Sequence, residues 1–468
     1  MATKRAARKR PNLLVVLIDD LRFDEFGAGG HPYMRTPNID RLAREGATFT
    51  RAFHPTPICS PNRASILTGQ YASRHGVIDN VARDAMSFRL PNYHLALQAL
   101  GYETAHVGKW HMGNSAAPRP GYDEWFSFPG HGSLVDPEFN DNGKVVKKTG
   151  YMTDLLNERA LEFVARERDR PFALFLAHKA VHPDAFQAAD GTLDLAAFGG
   201  YRLPARHEHL YEGEHFAPRP NVMTPAQAAK LKPAWAESVE LKSLPASKAV
   251  LEVLDSGSQE EIRRRAAMMA SVDEGVGQLL AELERQGTLD DTMILFLGDN
   301  GFFFGEHGLG PERRFAYEEG IRSPFVVRYP RRARAGTTID RLVMSIDIAP
   351  TLVDLAGGKA PATMQGRSLV PLLRDARTPW RKSVLCEYYA ENAMPWLVGM
   401  GYKAVRTDRH KLIHWVNKGG MPGVVDELYD LKEDPYELKN LIRSRAHAPL
   451  AARLRRELGR LVVESVGL

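Results

Sequence analysis

One of the two cysteines, Cys59, stands in a segment that could present a reactive group to an anion. It opens the run Cys59-Ser60-Pro61-Asn62-Arg63. Pro61 suits the first turn of a helix, so Cys59 would lie at the helix N-terminus, where free N–H groups and the dipole favour negative charge. Arg63 would lie one turn further along, on the same face. The pattern predicts a nucleophile in an anion site; the alternative is a capped helix with a buried thiol.

Carboxylate and amide side chains follow two apolar runs that lie far apart in the chain. Asp19 and Asp20 follow the first run, and Asp299 and Asn300 follow a later one. Ligands of open α/β sheets bind at the carboxyl ends of the strands, so we expect these side chains to share one pocket. Oxygen donors alone select Ca²⁺ or Mg²⁺ over zinc. Either pair by itself could equally be a helix cap.

The elements that must position these groups alternate between strands and helices. Continuous apolar runs predict strands that are buried on both faces, as in a parallel sheet. Amphipathic patterns over Thr36–Gly46 and Ile262–Gln286 predict helices. The fold class that we expect is α/β, with a large mixed, mostly parallel sheet sandwiched by helices. The predicted strands are Leu13–Ile18, Phe172–Leu176, Met293–Leu297 and Phe325–Val327.

The pattern changes after Leu372, where a linker precedes alternating runs over Tyr402–Arg406 and Lys411–Trp415. Alternation predicts an antiparallel sheet with one face in the core. A final amphipathic helix begins at about Pro449. We therefore predict a catalytic domain over residues 1–375 and a smaller C-terminal α+β subdomain over residues 376–468.

Cys-x-Pro-x-Arg followed by Ala-Ser-Ile-Leu-Thr-Gly resembles the signature of type I sulfatases, which are members of the alkaline phosphatase superfamily. Other motifs of that family follow in its order, so the resemblance covers nearly the whole chain. Residues 126–132 and 136–140 are most similar to the N-acetylglucosamine-6-sulfatase-like, carbohydrate-directed branch. The further motifs are Asn12–Asp20, Thr36–Asp40, Gly108–Gly113, Asp299–Gly301, Gly305–Gly308, Asp347–Thr351 and Glu427–Leu431.

The resemblance implies a sulfuric ester hydrolase whose nucleophile is made after synthesis. A separate formylglycine-generating enzyme would oxidise Cys59 to an aldehyde, whose hydrate attacks sulfur and then expels sulfate as the aldehyde returns. An unmodified serine or cysteine lacks the second hydroxyl that this expulsion needs. The resemblance also implies one divalent cation, calcium with magnesium as the alternative. Its ligands would be Asp19, Asp20, Asp299, Asn300 and residue 59.

Further site residues are implied by the same resemblance. Arg63 would fix the hydrate, and His111 would be the base that releases sulfate. Lys109, His182, Arg313 and His131 would contact the substrate. Arg313 stands where the family usually carries a lysine; it keeps the charge but cannot donate a proton, so His182 would be the acid. His307 could take part as well, with loop shaping as the alternative.

The stretch from residue 185 to residue 258 is rich in proline, histidine and charge, and it predicts an irregular excursion near the site. His207 and His209 in this stretch, together with His131, could line a sugar subsite for a sulfated oligosaccharide. A solvated surface loop is the competing interpretation.

The composition of the chain bears on its partners, its disulfides and its location. The chain carries 62 basic and 57 acidic residues, scattered rather than gathered in a stripe, which argues against a nucleic-acid partner. Two cysteines make a disulfide framework improbable, and we expect Cys386 to be an inert core thiol. No apolar run has the length of a membrane span, and no signal peptide is evident, so a cytoplasmic protein is expected. The oligomeric state is left open.

Two rival functions fit the same residues. A phosphodiester or phosphonate monoester hydrolase of the same superfamily can share the cysteine motif, because a tetrahedral anion site discriminates weakly between sulfur and phosphorus. The other rival is a non-catalytic, carbohydrate-binding relative in which Cys59 is never converted.

Overall fold

The apolar run after Pro11 forms a strand that lies inside a ten-stranded sheet, and this sheet organises the computed structural model. The structure describes residues 10–194, 196–231, 257–310, 312–389, 391, 400–416 and 426–467. Within these residues the strands are β1 Asn12–Ile18, β2 Ala47–Phe49, β3 Ala52–Phe53, β4 Glu103–Lys109, β5 Glu124–Phe128, β6 Glu138–Asp141, β7 Lys144–Lys147, β8 Phe172–His178, β9 Phe186–Gln187, β10 Leu193–Asp194, β11 Thr292–Gly298, β12 Arg322–Ser323, β13 Phe325–Arg328, β14 Thr337–Ile339, β15 Val343–Met344, β16 Ser383–Tyr388, β17 Tyr402–Thr407, β18 His410–Trp415 and β19 Glu427–Asp430.

Helices cover both faces of this sheet. The α-helices of the described residues, including those that pack elsewhere, are α1 Pro37–Glu45, α2 Cys59–Thr68, α3 Ala72–His75, α4 Asp84–Ser87, α5 Tyr93–Ala99, α6 Met152–Ala165, α7 Pro225–Leu231, α8 Gln259–Arg285, α9 Glu318–Ile321, α10 Ile348–Leu355, α11 Val370–Arg374 and α12 Ala448–Val466. Each helix among the described residues is too short or too polar to cross a membrane.

The large sheet is mixed with a parallel centre, as the sequence predicts. From edge to edge its order is β14, β2, β13, β11, β1, β8, β4, β5, β6 and β7. The five central strands β11, β1, β8, β4 and β5 run parallel to one another. The expectation of a parallel strand is wrong for β13, which pairs antiparallel with β11. Its apolar run reflects burial on both faces, which does not fix strand direction.

The two faces of β1 belong to two separate apolar clusters. Leu14, Val16 and Ile18 pack in the cluster that includes the buried stripe of α8, and the alternate residues of β1 pack in the cluster that includes α2 and α10. Successive side chains of a strand point to opposite faces, so a continuous apolar run serves both clusters. Both faces of the sheet are therefore covered, and an active site can form only at its edges or at the ends of its strands.

The C-terminal residues form a second, antiparallel sheet of four strands in the order β16, β17, β18, β19. Leu385, Val405 and Leu412 on one face pack against Leu454 and Leu458 of α12. The other face packs in a cluster with apolar side chains of the larger part, among them Phe303 and Tyr317. The predicted change of architecture is confirmed, whereas the division between residues 375 and 376 stays a prediction.

Candidate active site

The ends of β1 and β11 bring the two predicted carboxylate pairs together. The strands are parallel neighbours, with Ile18 opposite Gly298, so the residues that follow each strand meet at one edge. The backbone N–H of Asp20 donates to Asp299 Oδ1 at 3.0 Å, and Asn300 Nδ2 donates to Asp20 Oδ1 at 2.7 Å. Asp20 has a left-handed backbone with φ 59°, a strained conformation of the kind found at functional sites.

Cys59 is the first residue of α2, as predicted, and it is completely buried. Its Sγ lies 3.4 Å from Asp19 Oδ1, and the ligand atoms of Asp19, Cys59 and Asp299 all lie within 4.8 Å of one another. Burial and the charge of Asp19 raise the pKa of the Cys59 thiol well above its ordinary value. An unmodified Cys59 is therefore protonated and is a poor nucleophile.

Arg63 lies one helical turn after Cys59 and ties α2 to both strand ends. Its Nε and Nη2 each lie 2.8 Å from Asp299 Oδ2, and Nη1 donates to the Lys109 carbonyl at 2.7 Å. A planar guanidinium that meets two groups at once fixes the direction of the helix start. The predicted neighbourhood of Arg63 and residue 59 is thus present.

Lys109 ends β4, two strands away from β1, and reaches back to the carboxylates. Its Nζ pairs with Asp19 Oδ2 and lies 3.3 Å from His131 Nδ1. Gly108 permits this approach, because φ is +114° and a Cβ there would lie 2.0 Å from the Ala177 carbonyl oxygen of β8. A side chain at position 108 would push β4 and β8 apart.

Three buried histidines lie in contact with one another beside Lys109. The ring centroids of His111 and His131 are 4.0 Å apart, and those of His131 and His182 are 4.6 Å apart. His182 Nε2 lies 3.9 Å from Asp20 Oδ2. Burial lowers the pKa of all three rings, and nearby cations such as Lys109 lower it further. The rings are neutral near pH 7 and can accept protons.

Arg313 contacts the site at Asp20, where its Nη1 lies 2.5 Å from Asp20 Oδ2. The backbone N–H of Arg313 donates to the carboxylate of Glu312 at 3.1 Å, which shapes the turn that presents the guanidinium. Asp20 therefore stands between the Asn300 amide and Arg313. The predicted cation ligands lie in this one cluster, together with Arg63, Lys109, His111, His131, His182 and Arg313.

The carboxylates fit a divalent cation. Burial and the charge of Asp19 raise the pKa of Asp299 to about 8, and burial raises the pKa of Asp20 as well, although Arg313 opposes it. Burial also favours the neutral form of Asp19, but Lys109 and other cations outweigh it and hold the pKa well below the ordinary value. The Oδ1 of Asn300 is buried without a hydrogen-bond partner among the described residues. A hard cation would satisfy this oxygen-rich donor set.

Comparison with known proteins identifies the family. The sequence profile of the Sulfatase family matches residues 11–358, and that of N-sulphoglucosamine sulphohydrolase, C-terminal, matches residues 305–464. The chain belongs to the sulfatase family. It is 31% identical to N-acetylglucosamine-6-O-sulfatase of Bacteroides thetaiotaomicron over 94% of this chain and 84% of that protein.

Solved structures agree with the fold of this sulfatase. The solved structure of another protein, in complex with that protein's substrate D-glucosamine-2-N,6-O-disulfate, superposes on this chain. The TM-score is 0.82 at 28% identity, over 98% of both chains. The phosphonate monoester hydrolase of Agrobacterium radiobacter superposes with a TM-score of 0.73 at 22% identity, over 97% of this chain and 96% of that one. At that identity the second similarity concerns the fold alone. The sulfatase is a sulfuric ester hydrolase by family.

One site residue of the sulfatase, Lys179, has no predicted role in the sequence analysis. It directly follows β8, and its buried Nζ has no hydrogen-bond partner among the described residues; Asp184 Oδ1 lies 3.9 Å away. Burial and the charge of Lys109 lower its pKa to about 8. The signal in the sequence was its position at the carboxyl end of a central strand, three residues before His182.

Two histidines outside the cluster have structural partners. His207 is buried against α8, with Ser271 Oγ 3.0 Å from Nδ1 and Glu274 Oε1 2.9 Å from Nε2. Both ring nitrogens are engaged by the helix, which gives His207 a structural role, and its place in a sugar subsite stays a prediction. His307 stacks on Tyr317 with centroids 4.0 Å apart, which supports loop shaping.

The remaining predictions outside the cluster have mixed outcomes. His209 is exposed beside Glu212, and its role in a subsite stays a prediction. Cys386 is a buried free thiol, as expected. The excursion contains β9, β10 and α7, and residues 232–256 of it lie outside the described part.

Proposed function

We propose that this sulfatase hydrolyses a sulfate ester of a carbohydrate, with the 6-O-sulfate of a glucosamine unit as the first candidate. The observation that carries the proposal is Cys59 at the start of α2, with Sγ 3.4 Å from Asp19 in a pocket of buried carboxylates. The amino-sugar substrate is supported by the names of the relatives described above. The cations and histidines that contact these carboxylates suit a sulfate group.

Residue 59 would act after oxidation to formylglycine by a dedicated maturation enzyme. The raised pKa of the unmodified thiol supports this step, because a protonated Cys59 would not attack an ester. Asp19, Asp20, Asp299, Asn300 and residue 59 would hold the cation, with calcium preferred over magnesium. When bound, the cation supplies positive charge that acidifies an oxygen nucleophile and offsets charge on the sulfuryl oxygens.

The side chains of the chain itself would divide the remaining work. Arg63 orients residue 59 through its contacts with Asp299 and the Lys109 carbonyl. Lys109 and Arg313 neutralise the sulfuryl oxygens, and neutral His111 accepts the proton when sulfate is released. His182 protonates the leaving alcohol, because the negative charge of a bound ester raises its pKa and Arg313 cannot donate a proton.

The test is a turnover screen with enzyme whose Cys59 conversion has been verified by peptide mass spectrometry. Its substrates are glucosamine and galactosamine derivatives with a single sulfate at O6, O4, O3 or N2. We expect release of sulfate from the glucosamine 6-O-sulfate with the highest kcat/KM. Faster turnover of another position would replace the candidate substrate, and no turnover of any sugar sulfate would refute the carbohydrate proposal.

A second comparison separates the rival activities. A 4-nitrophenyl sulfate and a phosphodiester or phenyl phosphonate with the same leaving group are measured side by side. The proposal predicts a higher kcat/KM for the sulfate. A higher value for either phosphorus ester would favour the phosphoryl hydrolase, and inactivity of converted enzyme on all of them would favour the non-catalytic relative.

A further inference from the structure

A single carboxylate from the C-terminal part reaches two segments of the active site. Glu391 follows β16 and is 5% exposed. Its Oε2 accepts hydrogen bonds from Arg314 Nε at 2.6 Å and from the Tyr388 hydroxyl at 2.7 Å. Its Oε1 accepts the backbone N–H of Asn80 at 3.1 Å. Glu391 thus joins residues that lie far from one another in sequence.

The first connection leads to the substrate-facing arginine. Arg314 directly follows Arg313, and its guanidinium is almost wholly buried. Besides Glu391, Arg314 has the Glu312 carboxylate at 3.5 Å, and this carboxylate also accepts the N–H of Arg313. Losing Glu391 would leave the buried guanidinium with a longer and weaker ion pair. Arg314 would then no longer be held firmly next to Arg313, and the turn that presents Arg313 would be less well fixed.

The second connection leads to the nucleophile. Asn80 Oδ1 accepts the backbone N–H of Ser60 at 3.1 Å, within the first turn of α2. The hydroxyl of Ser60 in turn donates to the carbonyl of His111. Asn80 is thereby held between Glu391 and the residue that follows Cys59. A shift of Asn80 would be transmitted to residue 59 and to His111.

We propose that Glu391 is a positioning residue that fixes Arg313 and residue 59 relative to each other. The inference rests on the proposed function, because it assigns Arg313 to substrate and residue 59 to attack. Reacting groups that are misplaced by about 1 Å lose on the order of 10²-fold in rate. The predicted C-terminal subdomain is therefore part of the catalytic assembly, although it supplies no group that touches the reacting atoms.

The test compares Glu391→Gln with a matched control, Glu387→Gln. Glu387 is a buried carboxylate on β16, where it pairs with Lys403 at 2.5 Å and accepts from the Tyr389 hydroxyl at 3.1 Å. We expect Glu391→Gln to lower kcat about 10²-fold with KM changed by less than about threefold. Glu387→Gln should lower Tm by a similar amount but keep kcat within about threefold of wild type. Equal kcat values in the two variants would overturn the inference.

Asn80→Ala is the second variant, in case Glu391→Gln fails to fold. It keeps the pair between Arg314 and Glu391 but removes the contact with Ser60, so kcat should fall about tenfold at nearly unchanged Tm. An unchanged kcat would contradict the second connection. Rates are divided by the converted fraction of Cys59 and measured on whichever sulfate or phosphate ester the wild type turns over. A wild type that prefers phosphate esters would refute the proposed function, while the ratio between variants would still decide the role of Glu391.

Discussion

The two cysteines of the chain are both completely buried, yet their surroundings differ in kind. Cys386 lies within β16, opposite Ala404 in the sheet, and packs in an apolar cluster with Tyr388 and Ile413. Cys59 begins a helix and has the carboxylate of Asp19 at 3.4 Å. Burial raises the pKa of both thiols, that of Cys386 to about 12. Charged side chains such as Lys411 and Glu318 also lie near Cys386, so what marks Cys59 is the direct contact of its thiol with a carboxylate at the end of a central strand.

The largest expected effect separates the two thiols directly. Cys59→Ala should lower kcat by a factor on the order of 10⁴ or more, because it removes the nucleophile. Cys386→Ala should leave kcat within about twofold, since its neighbours are structural. Steady-state turnover of an aryl sulfate measures both. Comparable losses of kcat in the two variants would contradict the assignment of Cys59 alone as the nucleophile.

The carboxylates beside Cys59 give the next largest effect. Asp299→Asn should lower kcat about 10²-fold or more, since it removes a charge that would hold the cation. Calcium should raise the Tm of the wild type but not that of Asp299→Asn, because a ligand that binds only the folded state stabilises it. Thermal unfolding with calcium, magnesium and a chelator tests this. A chelated wild type with full activity would show that the cation is dispensable.

A smaller effect is expected from Lys179, the buried lysine near the anion site around Cys59. Lys179→Met should lower kcat/KM for a sulfate ester about tenfold, chiefly through KM, because a buried cation near the anion site is removed. Lys148→Met, at an exposed lysine, is the control and should change neither constant. Initial rates over a range of substrate concentrations give the two values. An unchanged KM would assign Lys179 to packing.

The smallest effect concerns the apolar surroundings of Cys386. Cys386→Ser should lower the free energy of unfolding by about 1–2 kcal/mol, because a hydroxyl is costlier to bury than a thiol. Its kcat should stay close to that of the wild type. Urea unfolding followed by circular dichroism measures the change. A stability loss accompanied by a large loss of kcat would link this strand to the site more tightly than its contacts indicate.

Much of the site could be predicted because its signals are local. The apolar run before Asp19 and the run before Asp299 were sufficient to place both pairs at strand ends, and Pro61 was sufficient to begin a helix at Cys59. The parallel arrangement of β1 and β11 then brings the pairs together. Strand bounds agree with prediction to within a residue or two for the same reason.

What escaped prediction depends on contacts between distant segments. Nothing in the sequence around Glu391 indicates that it meets Asn80 and Arg314, which come from two other segments. His207 lies in a polar stretch that favours exposure, but the tertiary fold buries it against α8. The direction of β13 depends on the connection that precedes it, whereas its apolar run reports only burial.

The chemical state of residue 59 in active enzyme is the most direct test of sulfate ester hydrolysis by a formylglycine. Trypsin releases this residue in a single peptide, Ala52–Arg63. Across preparations of different maturation, we expect kcat for a sulfate ester to rise in proportion to the fraction of this peptide that carries an aldehyde in place of the thiol. Full activity in a preparation whose peptide carries only the unmodified thiol would contradict that mechanism.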